Sequence, residues 1–385
     1  MSGNDPVHNV LYPVPALRTG GTEQQLLELV RGLDKRRFHP IVVTFESGGR
    51  LEPDFRAEPG VEVVHLRRRG KWDLSPIWRL ALLMRSRHVE VVQPFLTPAT
   101  SFAILAGVLA GTRARILTER SGARTELNFH LRLQDALTRF ATCVVANSVA
   151  GRECLLQRGV PADKVLVITN GINRQRLSVD PDVVAEYRAR LAVPDNGHVV
   201  GILASLLPVK DHHTFLRAAA LIGRAFPNTR FAVFGDGPLR MELVALAANL
   251  GLAERVTFFG TQQGVANCLS ACDVLVSTSV VEGLSNAILE AMGLGVPVIA
   301  TDIPGNREIV LPGRTGWLVP VRSPHVLAST IERVFTNTAE VSAYAAQARE
   351  MVATRFALDR MIGEHMALYE SLLTGRLRPA LAPGA

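Results

Sequence analysis

The strongest constraint in this sequence is an alternation that runs twice along the chain. Short β-rich apolar runs alternate with amphipathic helices, first from Val7 to Thr169 and again from His198 to Ala300. In the first series, strands are predicted at Val7–Tyr12, Ile41–Phe45, Val61–Leu66, Val89–Gln93, Ala114–Thr118, Cys143–Asn147 and Val165–Thr169. A helix is predicted at Gln24–Leu33, where Leu26, Leu29, Val30 and Leu33 fall on one stripe at helical spacing. Apolar strands separated by helices imply a parallel sheet covered on both faces. The alternation pauses over residues 174–197, which are polar, contain Pro181 and Pro194, and read as a linker with one short helix near Val183–Leu191. The second series has strands at His198–Leu203, Arg230–Phe234, Val256–Phe259, Val274–Ser277 and Val296–Ala300, with helices at His212–Ala225, Leu239–Asn249 and Asn286–Gly293. A last long helix is predicted at Ala357–Leu373.

A chain of 385 residues is long enough for two domains or three, and 48% apolar residues suffice for two cores. The longest apolar stretches, such as Phe102–Ala110, are half the ~18 residues of a membrane span. Residues 1–9 are polar and mixed, so no cleaved leader is expected and a cytoplasmic protein is. Four scattered cysteines make no disulfide framework. Cys268 and Cys272 lie one helical turn apart without further ligands nearby, so they read as core residues and no metal site is expected.

Charge is uneven. Residues 1–180 hold 25 Lys and Arg against 17 Asp and Glu, a balance of +8, whereas residues 181–385 hold 17 against 18, a balance of −1. An anionic partner for the first half follows. The run Arg67-Arg68-Arg69-Gly70-Lys71-Trp72 suits an anionic membrane surface, with the protein peripheral on the inner face of the plasma membrane. Nucleic acid is not expected, because no recognised module or aromatic platform accompanies the arginines.

Two segments carry chemistry. Arg18-Thr19-Gly20-Gly21-Thr22-Glu23 joins the first strand to the first helix. Paired glycines let backbone approach a ligand, and a helix N-terminus offers N–H groups to an anion; a plain tight turn would look the same. It is neither a Walker loop nor a Gly-x-Gly-x-x-Gly fingerprint. The second segment runs from Val281 through Glu282-Gly283-Leu284-Ser285-Asn286 to Glu290 and on to Val298. Residues 283–286 would present amides to phosphate at a helix N-terminus. Glu290 lies roughly 7–8 Å further along the helix at 1.5 Å per residue, and Glu282 sits on the loop. One carboxylate on each flank of a phosphate suits a ligand with hydroxyls on both sides of a diphosphate, a nucleotide sugar.

These residues resemble the E-x7-E signature of the retaining glycosyltransferase family 4. Gly20-Gly21-x-Glu23, Thr169-Asn170-Gly171-Ile172-Asn173, Gly235-Asp236-Gly237-Pro238 and Phe259-Gly260 resemble its other landmarks, in order, over about residues 7–373. The resemblance implies an α/β protein of GT-B fold: two facing Rossmann-like doubly wound domains with a cleft between them. The domains would be an acceptor-binding domain at 1–178, a nucleotide-sugar domain at 195–355, and a helix at 356–375 that crosses back to the first. It implies that Glu282 holds hydroxyls of the transferred sugar, Glu290 the ribose, and Lys210 the diphosphate. Gly283, Leu284, Ser285 and Asn286 would meet the sugar and diphosphate, Gly20 and Gly21 the phosphate, and Gly260 and Thr261 the base. The implied chemistry is retaining transfer from a UDP- or GDP-sugar to a glycan or lipid-linked acceptor, without metal or cofactor, in bacterial surface polysaccharide assembly.

The sequence departs from the family where an Arg often precedes the Lys by five residues; that place is Ser205. A departing diphosphate needs more positive charge than one Lys, and Arg18 and Arg120 are the expected sources. Some members carry a His where this chain reads Thr118-Glu119-Arg120-Ser121. Two other readings compete: a nucleotide-sugar epimerase of the same architecture, and a non-catalytic nucleotide-sugar scaffold or sensor. Nucleotide release that requires an acceptor separates transfer from both.

Overall fold

The computed structural model describes residues 6–70, 73–96, 99–120 and 129–375. Lys71 and Trp72 of the basic run, Ser121, and the tail beyond Gly375 lie outside these. The chain divides into two compact units: residues through Gly171 joined by those from Leu358 onward, and Ile172–Ala357. The division falls at Gly171, ahead of the expected 178, and the segment expected as linker belongs to the second unit. Its short helix forms at Pro181–Arg190, capped by Asp180 and anchored by Tyr187, whose ring packs edge-on to Phe234 and Phe259. Three aromatic rings in contact hold to the second core a stretch too polar to read as part of it.

The first unit contains β1 (His8–Val14), β2 (Phe38–Thr44), β3 (Glu62–His65), β4 (Val89–Val92), β5 (Ala114–Glu119), β6 (Cys143–Ala146) and β7 (Val165–Val167). They form one parallel sheet in the order β3-β2-β1-β4-β5-β6-β7. Side chains alternate across it as a strand requires. Val10, Tyr12 and Val14 enter one core, whereas Leu11 enters another with Ile41 and Val43. The last helix, Leu358–Thr374, belongs to this unit and places Met361, Ile362, Leu368, Tyr369, Leu372 and Leu373 in the first of these cores.

The second unit repeats the plan with β8 (Val199–Leu203), β9 (Arg230–Phe234), β10 (Val256–Gly260), β11 (Val274–Ser277), β12 (Val298–Thr301) and β13 (Trp317–Val319), in the order β10-β9-β8-β11-β12-β13. All pairs are parallel. Strand β13 and the helices Pro324–Thr336 and Thr338–Arg355 were not anticipated. The 18-residue helix buries only Ala348, Met351 and Val352, so little apolar periodicity announces it.

In each sheet the strand order reverses once, between β1 and β4 and between β8 and β11. Loops leave the two strands in opposite directions there and open a crevice at their C-terminal ends. Of the expected ligand residues, Gly20 and Gly21 follow β1, and Lys210 and the segment Glu282–Asn286 follow β8 and β11, whereas Arg120 follows β5 and Gly260 and Thr261 lie at the end of β10.

Candidate functional site

In the second unit, the loop after β8 carries Ser205 to Lys210, and the loop after β11 carries Thr278 to Ser285. The Lys210 ammonium donates to Glu282 Oε1 in a half-buried ion pair. Ser279 Oγ donates to the same oxygen at 2.8 Å. Oε1 is thus held twice, and Glu282 Oε2 has no hydrogen bond among the described residues. Residues 72 apart in sequence meet here because their strands are neighbours at the reversal.

Buried hydroxyls hold the loops that carry this pair. Thr278 Oγ1 donates to the Lys210 carbonyl at 2.8 Å, and Thr301 Oγ1 to the Ser279 carbonyl at 2.5 Å. Asn306 Nδ2 donates to the Thr301 carbonyl at 2.9 Å. Val280 N–H completes the tie to the Val209 carbonyl at 2.9 Å. Gly305 lies under the same loop: a Cβ there would come 2.0 Å from the Gly283 carbonyl oxygen. None of Thr278, Ser279, Thr301, Asn306 and Gly305 was singled out from sequence. The available signal was their position, a hydroxyl at or just beyond the last residue of two adjacent parallel strands.

Ser285 caps helix Asn286–Leu294, its Oγ accepting from Ile288 N–H at 3.5 Å. The helix begins where expected, with Glu290 in its second turn and partly buried. Glu290 faces Cys268, whose thiol is pushed up to about 12 by burial and then by this charge. Cys268 and Cys272 are buried free thiols, and no metal-binding group of His, Cys, Asp and Glu occurs among the described residues. Gly260 ends β10 with φ +71°, in the left-handed region that favours glycine. Its carbonyl accepts from Gly235 N–H at 2.8 Å, and Thr261 beyond it is exposed. His212 opens helix His212–Ala225 just past Lys210, buried and with neither ring nitrogen hydrogen-bonded among the described residues. Burial first, then Lys210 and His213, push its pKa down to about 4, so it is neutral. Ser205 is exposed on the loop before Lys210.

In the first unit, Gly20 and Gly21 open helix Gly21–Gly32 without a side-chain cap on Gly20. Glu23 folds back over them: a Cβ on Gly20 would lie 2.3 Å from Glu23 Oε2. A carboxyl at the third helical position turned toward the N-cap is the acidic half of a capping box. Burial raises its pKa, with its own backbone N–H, then Arg18 and Arg120 acting in the opposite direction. Arg120 follows β5. It donates to Asn170 Oδ1 at 2.5 Å and stacks 5.5 Å over Phe95, while its Nε is buried without a partner among the described residues. Burial lowers its pKa to about 10, opposed by Glu23. Arg18 is instead exposed and paired with Glu46 at 2.6 Å. Lys210, Glu282, Ser285 and Glu290 therefore share one strand edge of the second unit, and Gly20, Gly21, Glu23 and Arg120 one edge of the first.

The two strand orders and these loops define a pair of Rossmann-like units of the kind found in glycosyltransferases of GT-B fold. The sequence profile described as Glycosyltransferase Family 4 matches residues 19–176, and that described as Glycosyl transferases group 1 matches residues 183–351. The chain belongs to this glycosyltransferase family. It is 29% identical over 245 residues to the lipopolysaccharide core biosynthesis glycosyltransferase LpsE of Rhizobium meliloti, covering 62% of this chain and 69% of LpsE. It is 30% identical over 210 residues to the 2-deoxystreptamine glucosyltransferase of Streptomyces kanamyceticus, covering 54% of each. The match spans about half the length of several curated relatives, 53% and 54% in two of them. Among solved structures, Anabaena HepE in complex with UDP and glucose superposes with a TM-score of 0.85 at 24% identity, covering 94% of this chain and 99% of HepE. That likeness supports the fold.

Proposed function

We propose that this protein transfers a sugar, with retention, from a UDP- or GDP-sugar to a glycan or glycolipid acceptor in surface polysaccharide assembly, acting in the cytoplasm. One observation carries the reading. Lys210 and Glu282 form an ion pair at the strand reversal, on the loop that leads into the Ser285-capped helix bearing Glu290. A diphosphate would take Lys210 and the amides of 283–286, replacing one carboxylate partner of the ammonium with another anion. Glu282 would then turn from Lys210 to sugar hydroxyls, and Glu290 would take the ribose. Gly260 and Thr261 are assigned to the base. In the first unit, Arg120 is a better cation for an anionic substrate group than Arg18, which already has Glu46. Gly20 and Gly21 serve that group only when Glu23 moves aside or is neutral. Stabilising the departing diphosphate is electrostatic work that Lys210 and the helix N-terminus can do without a metal. The reading is supported by family membership and by HepE, whose structures hold UDP, and in one case UDP-glucose.

A panel of UDP- and GDP-sugars, scored by nucleotide release with and without lipid-linked acceptors and with EDTA, tests it. Release with one donor, dependent on acceptor and insensitive to EDTA, is expected. Acceptor-independent binding without release would reject transfer.

A further inference from the structure

Helix Ser75–Ser86, in the first unit, has the sequence SPIWRLALLMRS and no acidic residue. One face is built into the unit: Pro76, Leu80, Ala81 and Met84 are buried. An amphipathic surface helix would be polar on the other face. This one presents Leu74, Trp78 and Leu82, spaced four apart and exposed by 62%, 64% and 63%. Helix Ala99–Ala110 packs beside it, and Arg85 Nη2 donates to the Leu109 carbonyl. The exposed Val108 and Leu109 therefore border the same face. Single exposed apolar residues are ordinary, but an aligned stripe of three, extended by two more on a packed neighbour, marks an interaction surface.

The charges beside the stripe identify the occupant. Arg67 and Arg69 are exposed on the segment just before the helix, and Arg79 on the helix donates to the Arg67 carbonyl at 2.5 Å, holding that segment against it. Arg85 is exposed one turn after Leu82. The nearest acid, Asp73, is engaged locally, accepting from Arg69 N–H at 2.8 Å and Ser75 N–H at 2.9 Å. Apolar side chains including a Trp, rimmed by arginines, match the layering of an anionic bilayer surface, with phosphates outside and acyl chains within. No helix of the described residues is long and apolar enough to cross a membrane, so this is contact from one side.

We infer that Leu74, Trp78 and Leu82 form a membrane-docking face that inserts shallowly into an anionic lipid surface, with Arg67, Arg69 and Arg85 at the headgroups. This deepens the proposed reading by placing the protein where a lipid-linked acceptor would be, yet it does not depend on sugar transfer. The full chain would be sedimented with phosphatidylcholine vesicles with and without phosphatidylglycerol, at low and high salt. Binding is expected to require phosphatidylglycerol and to fall with salt. Trp78→Ser combined with Leu82→Ser should weaken binding about 10-fold or more, with the melting temperature unchanged because both side chains are exposed. Arg67→Glu with Arg69→Glu should weaken it and flatten the salt dependence. No sedimentation with phosphatidylglycerol vesicles at low salt overturns the inference, as does full binding by the Trp78/Leu82 variant. Concentration-dependent dimers that this variant abolishes, without vesicle binding by the wild type, overturn it in favour of a second copy. Because the assay contains neither donor nor acceptor, its failure and that of the transfer reading are separable.

Discussion

The two units close the same strand order around a reversal, yet they fill that edge with different electrostatics. In the second unit a cation and an anion touch, Lys210 on Glu282, and a ladder of buried hydroxyls holds both loops. In the first, Arg120 has one hydrogen bond among the described residues, to a neutral side chain, and Glu23 lies nearby with its pKa raised by burial. A contacting pair offsets much of its own desolvation, whereas a half-buried cation without a contacting anion does so less. The second edge is therefore organised before any ligand arrives, while the first retains unused capacity for an anion.

The sharpest test of this contrast removes Lys210. Lys210→Ala is expected to lower turnover about 100-fold or more, the scale of losing a preorganised charge at a developing anion, and steady-state kinetics would show it. Arg120→Met should lower turnover less and leave thermal stability level or higher, because it deletes a poorly compensated, half-buried charge. A melting temperature that drops after Arg120→Met would erase the contrast between the units.

Acid should weaken both units for the same reason. His212 in the second unit and His365 in the first are buried and held down to about 4, chiefly by burial. A depressed histidine contributes stability that is present above its ordinary value of 6.5 and is lost as pH falls toward 4. Each is worth on the order of 3 kcal/mol over that range. Denaturant unfolding at pH 7 and 4.5 should show the loss, and His212→Leu should reduce it.

Thr301→Val tests the hydroxyl ladder. It removes the donor to the Ser279 carbonyl, and about 1 kcal/mol of loop order is expected to go with it. Turnover should fall several-fold with nucleotide affinity unchanged, and Thr301→Ser should restore it. Equal impairment in both variants would assign the effect to packing.

The smallest effect belongs to Glu23. A carboxyl with a raised folded pKa contributes stability that is complete below its ordinary 4.5 and lost as pH rises through the raised value. Glu23→Gln should therefore gain on the wild type between pH 5 and 8 and lose that advantage near pH 4.5, as read by thermal melts. An unchanged difference across this range would mean that Glu23 does not titrate within it.

Much of this architecture was legible. Helices Asn286–Leu294 and Leu358–Thr374 begin at or within one residue of their predicted starts. Their signals are local: a serine cap before an apolar stripe in one, seven apolar residues on one side in the other. Glu282 and Glu290 were legible as carboxylates on either side of a helix start, and Lys210 only through the family resemblance; that Lys210 pairs with Glu282 was not legible in the sequence. The segment 174–197 read as a linker, whereas the structure joins it to the second unit through Tyr187 against Phe234 and Phe259, a contact without a periodic trace.

The sequence alone determined the α/β alternation, the two series and the loops that bear charge, because periodicity and turn chemistry act over a few residues. Only the tertiary structure decided which charges meet. Lys210 reaches Glu282 across 72 positions, Thr301 reaches Ser279 across 22, and Tyr369 on the last helix donates to Gln93 Oε1 at 2.5 Å across 276. Each contact requires strand order, which parallel crossovers set at long range. The exposure of Leu74, Trp78 and Leu82 is likewise a tertiary outcome: the packing of the opposite face of their helix leaves them outside.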